Sequence, residues 1–205
     1  IGMAGCSADE ESEATDSQDL APGWSHGQRV NVDDTRRTYA LYAPESQGVS
    51  GLVIALHGSG ETAEGMIAQL VAEPVADRHG FLLAVPQGLN NGWNDEDPVG
   101  EGLADDVGFI DALIAQLQTR YPGIPAHKIF AYGFSNGGGL ATRLACESGH
   151  VRGIGVIGNY HTSGLCTARP TERSIPGWFG AGVMDELVPV ATVRSSMSSF
   201  VSDLT

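Results

Sequence analysis

The sequence lacks the long apolar runs and the excess of positive charge that several classes of protein need. None of its apolar stretches approaches the roughly 20 residues that cross a bilayer as a helix. It has 11 Lys and Arg residues against 25 Asp and Glu residues, which gives a formal net charge of −14. Such a charge repels phosphate backbones and anionic membrane surfaces. We therefore expect neither a spanning helix nor a nucleic-acid partner.

Cysteine is also scarce, and the sequence does not begin with methionine. The three cysteines are Cys6, Cys146 and Cys166. Small residues precede Cys6. The segment resembles a bacterial lipobox, in which the cysteine is diacylated after the signal peptide is cleaved. Residues 1–6 are thus predicted to be the remnant of a lipoprotein signal peptide with its lipobox cysteine, and acylated Cys6 is expected to anchor the protein to the outer face of a bacterial cell membrane. The alternative is a stray cysteine near a frayed terminus.

The residues after Cys6 have little that could form a core. Residues 7–19 hold six acids and no basic or aromatic residue, so they bury too little apolar area to offset chain entropy. We expect a disordered acidic tether over residues 7–24. The remaining residues, 25–205, have the length of one globular domain.

Short apolar strands alternate with helical patterns along that domain. An antiparallel hairpin is predicted around Asp33 to Thr35, followed by strands at Leu52 to Leu56, Phe81 to Val85, Ile129 to Tyr132, Ile154 to Ile157 and Trp178 to Ala181. Helices are predicted over Glu61 to His79 with a break near Pro74, over a stripe from Leu103 to Leu117, and over Asn136 to Glu147. This alternation predicts a doubly wound, mostly parallel α/β sheet with helices on both faces.

The segment from Gly133 to Gly137 fits the G-x-S-x-G nucleophile elbow, with Ser135 as the nucleophile. A predicted strand precedes it and a helix rich in small residues follows it, which is the context that the motif requires. An oxyanion hole should accompany the elbow, because attack on an ester carbonyl places negative charge on its oxygen. We assign its two donors to the backbone N–H groups of Ser59 and Asn136, with Gly58 as a weaker alternative to Ser59.

Several motifs together resemble the polyhydroxybutyrate depolymerase and feruloyl esterase family of secreted α/β-hydrolase esterases. They are His57-Gly58, Pro86-Gln87-Gly88 with Trp93-Asn94, Ala104 to Ile110, Gly133 to Gly138 and Asp185 to Pro189. The resemblance implies hydrolysis of carboxylic esters by a Ser-Asp-His triad without a cofactor. The substrates it implies are hydroxyalkanoate polyesters, feruloyl or acetyl groups on polysaccharide, and small aryl esters. It also implies a disulfide between Cys146 and Cys166, for which the alternative is two buried free thiols.

The resemblance makes Asp185 the acid of the triad, with Glu186 as the alternative. The triad histidine should follow the acid in this fold, but all six histidines precede Asp185. We therefore expect the base beyond residue 205, together with a last strand and helix. A pseudoenzyme is the less favoured explanation. His57, Trp93 and His161 are candidates for the substrate pocket, although His57 is favoured as a brace for its loop and Trp93 suits the core equally well.

The acidic loop from Asn94 to Asp97 is interpreted as solvated rather than as a metal site, so no metal is predicted. The sequence thus favours a serine esterase, monomeric when complete, that meets the membrane only through a lipid anchor. Two rival hypotheses stay open at this point. One is a noncatalytic surface lipoprotein that binds a ligand in the hydrolase cleft, and the other is a peptidase of the same fold.

Overall fold

The computed structural model describes residues 21–32, 35–45, 48–95, 103–159 and 175–182. These residues form seven strands and four α-helices. The strands are β1 (Gly23–Val32), β2 (Thr35–Ala43), β3 (Gly51–Leu56), β4 (Phe81–Pro86), β5 (Ile129–Phe134), β6 (Ile154–Ile157) and β7 (Gly177–Gly180). The helices are α1 (Ala63–Leu70), α2 (Glu73–His79), α3 (Asp106–Arg120) and α4 (Asn136–Glu147). No helix in these ranges is both long and apolar enough to cross a bilayer.

The strands form one sheet in the order β1-β2-β4-β3-β5-β6-β7. β1 and β2 are antiparallel to their neighbours, whereas β4, β3, β5, β6 and β7 run parallel. This arrangement confirms the predicted α/β-hydrolase sheet, which is mostly parallel and doubly wound. The register pairs Leu56 with Gly133, so β3 and β5 end side by side at one edge. The segments that follow these two strands therefore meet there.

Two apolar clusters lie on opposite faces of the sheet, because successive side chains of a strand point to opposite sides. Leu52, Ile54 and Leu56 of β3 belong to the larger cluster, which also holds the buried residues of α3 and α4. Ala55, between them, belongs to the smaller cluster with residues of α1 and α2. Helices thus cover both faces, as the sequence predicts.

The break in the predicted helix over Glu61 to His79 lies three residues earlier than expected. α1 ends at Leu70, and Val71 adopts a left-handed conformation with φ 44°. Pro74 lies in the first turn of α2, where a missing N–H costs nothing. The helix therefore ends at a left-handed cap residue and not at the proline.

Two other boundaries differ from prediction. The sequence predicts Leu103 on the apolar stripe of α3, but it precedes the helix and is exposed. The helix begins after it because the Asp105 side chain accepts the Gly108 N–H as the N-cap. The folded domain also begins before residue 25, since β1 starts at Gly23. There the Trp24 ring packs on Tyr42 and its Nε1–H donates to Glu73 Oε1 at 2.9 Å. The anchor and most of the tether, residues 1–20, lie outside the described residues, and so do residues 183–205.

Candidate active site

Ser135 lies between the end of β5 and the start of α4, in a conformation that serine rarely adopts. Its φ is 50° and its ψ is −122°, and a non-glycine residue holds such angles only when its surroundings enforce them. The Ser135 N–H donates to Ile157 O at 2.8 Å. The Ser135 carbonyl accepts from Gly138 N–H, Gly139 N–H and the Asn159 side chain. These bonds fix the turn from both sides.

Glycine is required at both ends of the motif. A Cβ on Gly133 would lie 2.1 Å from the Gly137 carbonyl oxygen. A Cβ on Gly137 would lie 2.4 Å from Leu56 O and 2.5 Å from His57 O. The turn is therefore closed on itself and pressed against the end of β3. This contact gives the spacing of G-x-S-x-G a steric basis.

The loop after β3 carries the first predicted oxyanion donor, the Ser59 N–H. The Gly58 N–H donates to Glu61 Oε2 at 3.1 Å, and the Gly60 N–H donates to Asn91 O at 2.7 Å. The Ser59 N–H donates to none of the described residues. Gly58 is thus already committed, which favours Ser59 over Gly58 as the oxyanion donor.

The second predicted donor is the Asn136 N–H in the first turn of α4. It has no hydrogen-bond acceptor among the described residues, as is usual for the first N–H groups of a helix. The positive end of the helix dipole adds to its attraction for an anion. The two donor segments touch, because a Cβ on Gly58 would lie 3.1 Å from the Phe134 ring. Neither predicted donor amide thus has an acceptor among the described residues, and one of them, Asn136, directly follows Ser135.

His57 is completely buried, and both of its ring nitrogens are engaged. Nε2 accepts the Gly88 N–H at 3.0 Å, so Nδ1 carries the proton and donates to Gly58 O at 2.8 Å. Burial is the largest influence on this imidazole and lowers its pKa from the ordinary value, which favours the neutral form. The structure therefore favours the bracing role of His57 over a place in the substrate pocket.

Trp93 is also largely buried. Its Nε1–H donates to His57 O at 2.9 Å, and its ring stacks on Phe109 with centroids 6.5 Å apart. Packing and bracing account for most of its surface. The loop that carries it, residues 87–95, thereby contacts the loop after β3 directly.

The structure shows a set of polar contacts to this loop that sequence reasoning missed. Arg37 and Asp106 form a buried ion pair at 2.7 Å, and the Arg37 guanidinium lies 3.9 Å from the Phe109 ring centroid. The other Asp106 oxygen accepts the Asn94 N–H at 2.7 Å. The motifs around Gln87 and Asp106 are both visible in the sequence, but nothing in their spacing indicates that they bind each other.

Most of the remaining predicted site residues lie in parts of the chain that the structure does not describe. Asp185, Glu186, His161, Cys166 and Cys6 lie outside the described residues. Cys146 is buried on α4, at 1% exposure. In the part of the chain that the structure describes, no three His, Cys, Asp or Glu residues cluster as metal ligands. The Asn94 side chain donates to Ala104 O instead.

No model of a known protein family matches the chain. In sequence it is similar to "Feruloyl esterase D" of Neurospora crassa, with 28% identity over 88% of this chain and 64% of the relative. It is 26% identical to "Feruloyl esterase C" of Emericella nidulans over 82% of this chain and 62% of the relative. It is 28% identical to "Poly(3-hydroxybutyrate) depolymerase" of Ralstonia pickettii over 66% of this chain and 32% of the relative. The chain thus spans less than two thirds of the length of each.

Among solved structures, the acetyl xylan esterase from Aspergillus awamori aligns with a TM-score of 0.70 at 14% identity, covering 86% of this chain and 79% of that one. A thermostable esterase aligns with a TM-score of 0.67 at 20% identity, covering 86% of this chain and 51% of that one. At such low identity these likenesses establish the fold. The chain has the α/β-hydrolase fold, and in sequence it is similar to feruloyl esterases and to a poly(3-hydroxybutyrate) depolymerase.

Proposed function

We propose that the protein is a serine carboxylesterase. The observation that carries this proposal is the strained Ser135 turn at the start of α4. We place the oxyanion donors beside it, at the N–H groups of Ser59 and Asn136, neither of which has an acceptor among the described residues. That is the arrangement needed for attack on a carbonyl carbon with stabilisation of the developing oxyanion. The relatives named as esterases and as a depolymerase support the same chemistry.

In the proposed reaction the Ser135 hydroxyl attacks the ester carbonyl and passes its proton to a histidine base. Ser59 and Asn136 amides hold the oxyanion, and collapse of the intermediate expels the alcohol, which takes the proton from the histidine. Water then hydrolyses the acyl-enzyme. Asp185 orients the histidine. Both His57 nitrogens are engaged, so the proposed base is another histidine, one that follows the acid in the chain order usual for this triad.

The proposed substrates are neutral carboxylic esters, namely feruloyl or acetyl esters of polysaccharide, hydroxyalkanoate polyesters and small aryl esters. Names of the relatives support the first two classes. We also propose that the protein is exported, anchored through Cys6 and cross-linked between Cys146 and Cys166. These features would suit an enzyme that acts on polymers outside the cell.

The test is Ser135→Ala in the full-length protein, with hydrolysis of 4-nitrophenyl butyrate as the measurement. We expect activity to fall to background while the melting temperature changes little, because loss of one hydroxyl leaves almost no cavity. The matched control is Ser25→Ala, the same change on the exposed part of β1, which should retain wild-type turnover. More than a few per cent of wild-type activity in Ser135→Ala would contradict the assignment of the nucleophile.

A further inference from the structure

The Asn136 side chain holds the backbone of Trp93 by two hydrogen bonds. Its Oδ1 accepts the Trp93 N–H at 2.8 Å, and its Nδ2 donates to the Trp93 carbonyl at 3.0 Å. Only a side-chain amide offers a donor and an acceptor in this arrangement. The same residue supplies one of the two proposed oxyanion amides. Its side chain and its backbone therefore serve different purposes.

A second contact from α4 holds the next residue of the loop. Arg143 lies seven residues after Asn136, which places it on the same face two turns further along the helix. Its Nη1–H donates to Asn94 O at 2.8 Å, and its side chain is 1% exposed. Asp106 accepts the Asn94 N–H from the other side. Residues 93 and 94 are thus fixed to α4 and to the start of α3.

The loop in turn holds the segment that carries the other proposed donor. Asn91 O accepts the Gly60 N–H at 2.7 Å, Trp93 Nε1–H donates to His57 O at 2.9 Å, and Gly88 N–H donates to His57 Nε2 at 3.0 Å. Ser59 lies between these anchored residues. Residues 88–94 therefore form a bridge between the Asn136 turn and the Ser59 loop.

From these contacts we infer that Asn136 is a positioning residue, whose side chain uses the bridge formed by residues 88–94 to set the separation of the two oxyanion donors. This inference rests on the proposed esterase activity. Donors of this kind act on charge that develops only in the transition state. Loss of the side-chain bonds should therefore lower kcat and leave KM nearly unchanged, whereas a merely structural role would lower the amount of folded enzyme.

The experiment compares Asn136→Ala with wild type in the full-length protein, using 4-nitrophenyl butyrate. Active sites are counted by titration with a fluorophosphonate, so that kcat refers to competent enzyme. We expect kcat to fall at least about tenfold, less than the roughly hundredfold or greater loss that follows removal of a donor itself, with KM within about twofold. The backbone N–H of residue 136 is kept in this variant. Asn31→Ala, the same change on the exposed surface of β1, is the matched control.

A kcat per titrated site equal to that of wild type would overturn the inference while leaving the esterase proposal intact. If wild type neither hydrolyses the ester nor reacts with the fluorophosphonate, the proposed function fails instead. Hydrogen exchange then tests the bridge by itself: amides of residues 88–94 should exchange faster in Asn136→Ala than in wild type, and unchanged exchange would refute it. If Asn136→Ala is less stable than wild type, exchange is also measured in Asn136→Gln. That variant keeps both amide groups and should recover part of the protection of residues 88–94.

Discussion

Ser135 keeps its unusual backbone angles in a turn whose glycines pack closely against neighbouring backbone atoms. The carbonyl oxygen of Gly137 lies so close to Gly133 that even one methyl group would overlap it. The atoms nearest to Gly133 belong to the backbone of Gly137 and Gly138, and they cannot rotate away as a side chain can. The geometry of the proposed nucleophile therefore depends on glycine at positions 133 and 137, where a Cβ would overlap the backbone.

Gly133→Ala should consequently be strongly destabilising. Its Cβ would lie 2.1 Å from the Gly137 carbonyl oxygen, so either β5 or the first turn of α4 must shift, at a cost of about 3 kcal/mol or more. The measurement is the urea midpoint of unfolding. Gly149→Ala is the control, since a Cβ there meets nothing within 4 Å, and it should stay within about 0.5 kcal/mol of wild type. Equal midpoints for the two variants would show that the turn can relax.

At the level of elements, the start of α3 places two consecutive aspartates in different environments. Asp105 is the N-cap, and its exposed carboxylate accepts the Gly108 N–H at 2.8 Å. Asp106 is 1% exposed and pairs with the buried Arg37. The helix therefore uses the first carboxylate for its own end and the second to hold Arg37 and the 87–95 loop.

Asp106→Ala should cost far more than Asp105→Ala. Removing Asp106 leaves the Arg37 charge buried without its partner, which typically costs about 3–5 kcal/mol, whereas loss of a cap costs about 1 kcal/mol. Urea unfolding of both variants measures the difference. If Asp106→Ala does not fold, the double variant Arg37→Met with Asp106→Leu should fold, because it removes both charges. A double variant no more stable than Asp106→Ala would argue against an unpaired charge as the cause.

How well the sequence predicts each element depends on how local its cause is. β3 and β4 are continuous apolar runs, and α4 follows a strand and a glycine-rich turn, so periodicity and motif suffice for them. The end of α1 depends on Val71 adopting a left-handed conformation, which nothing in the composition requires. Leu103 fits the apolar period of α3, yet the Asp105 cap starts the helix after it.

The same distinction between local and distant causes applies to the residues of the candidate site. Ser135, Ser59 and Asn136 are predictable because their motif places them at the ends of adjacent strands. The contacts of the bridge and of the buried ion pair are not predictable from the sequence. Asn136 and Trp93 are 43 residues apart, and Asp106 and Arg37 are 69 residues apart. Such pairings depend on the register of the whole sheet. The roles of Ser135, Ser59 and Asn136, like those of Asp185 and His161, stay predictions.

At the scale of the whole molecule, the formal charge of −14 predicts a long-range preference among the proposed ester substrates. A negatively charged ester approaches against the field of the protein, whereas a neutral ester does not. Screening limits the field to about 30 Å at 0.01 M salt and about 8 Å at 0.15 M. The proposed feruloyl, acetyl and polyester substrates are neutral at their ester groups, which is compatible with so acidic a protein.

Salt should therefore favour an anionic ester selectively. We expect kcat/KM for mono-4-nitrophenyl succinate, which carries a carboxylate, to rise several-fold in the full-length protein as sodium chloride is raised from about 0.01 M to about 0.15 M. The neutral 4-nitrophenyl butyrate, of similar length, is the control and should change little. Taking the ratio of the two removes any effect of salt on folding or on the triad. A ratio that does not change with salt would mean that the acidic residues lie too far from the cleft, or are too well paired, to act on an approaching substrate.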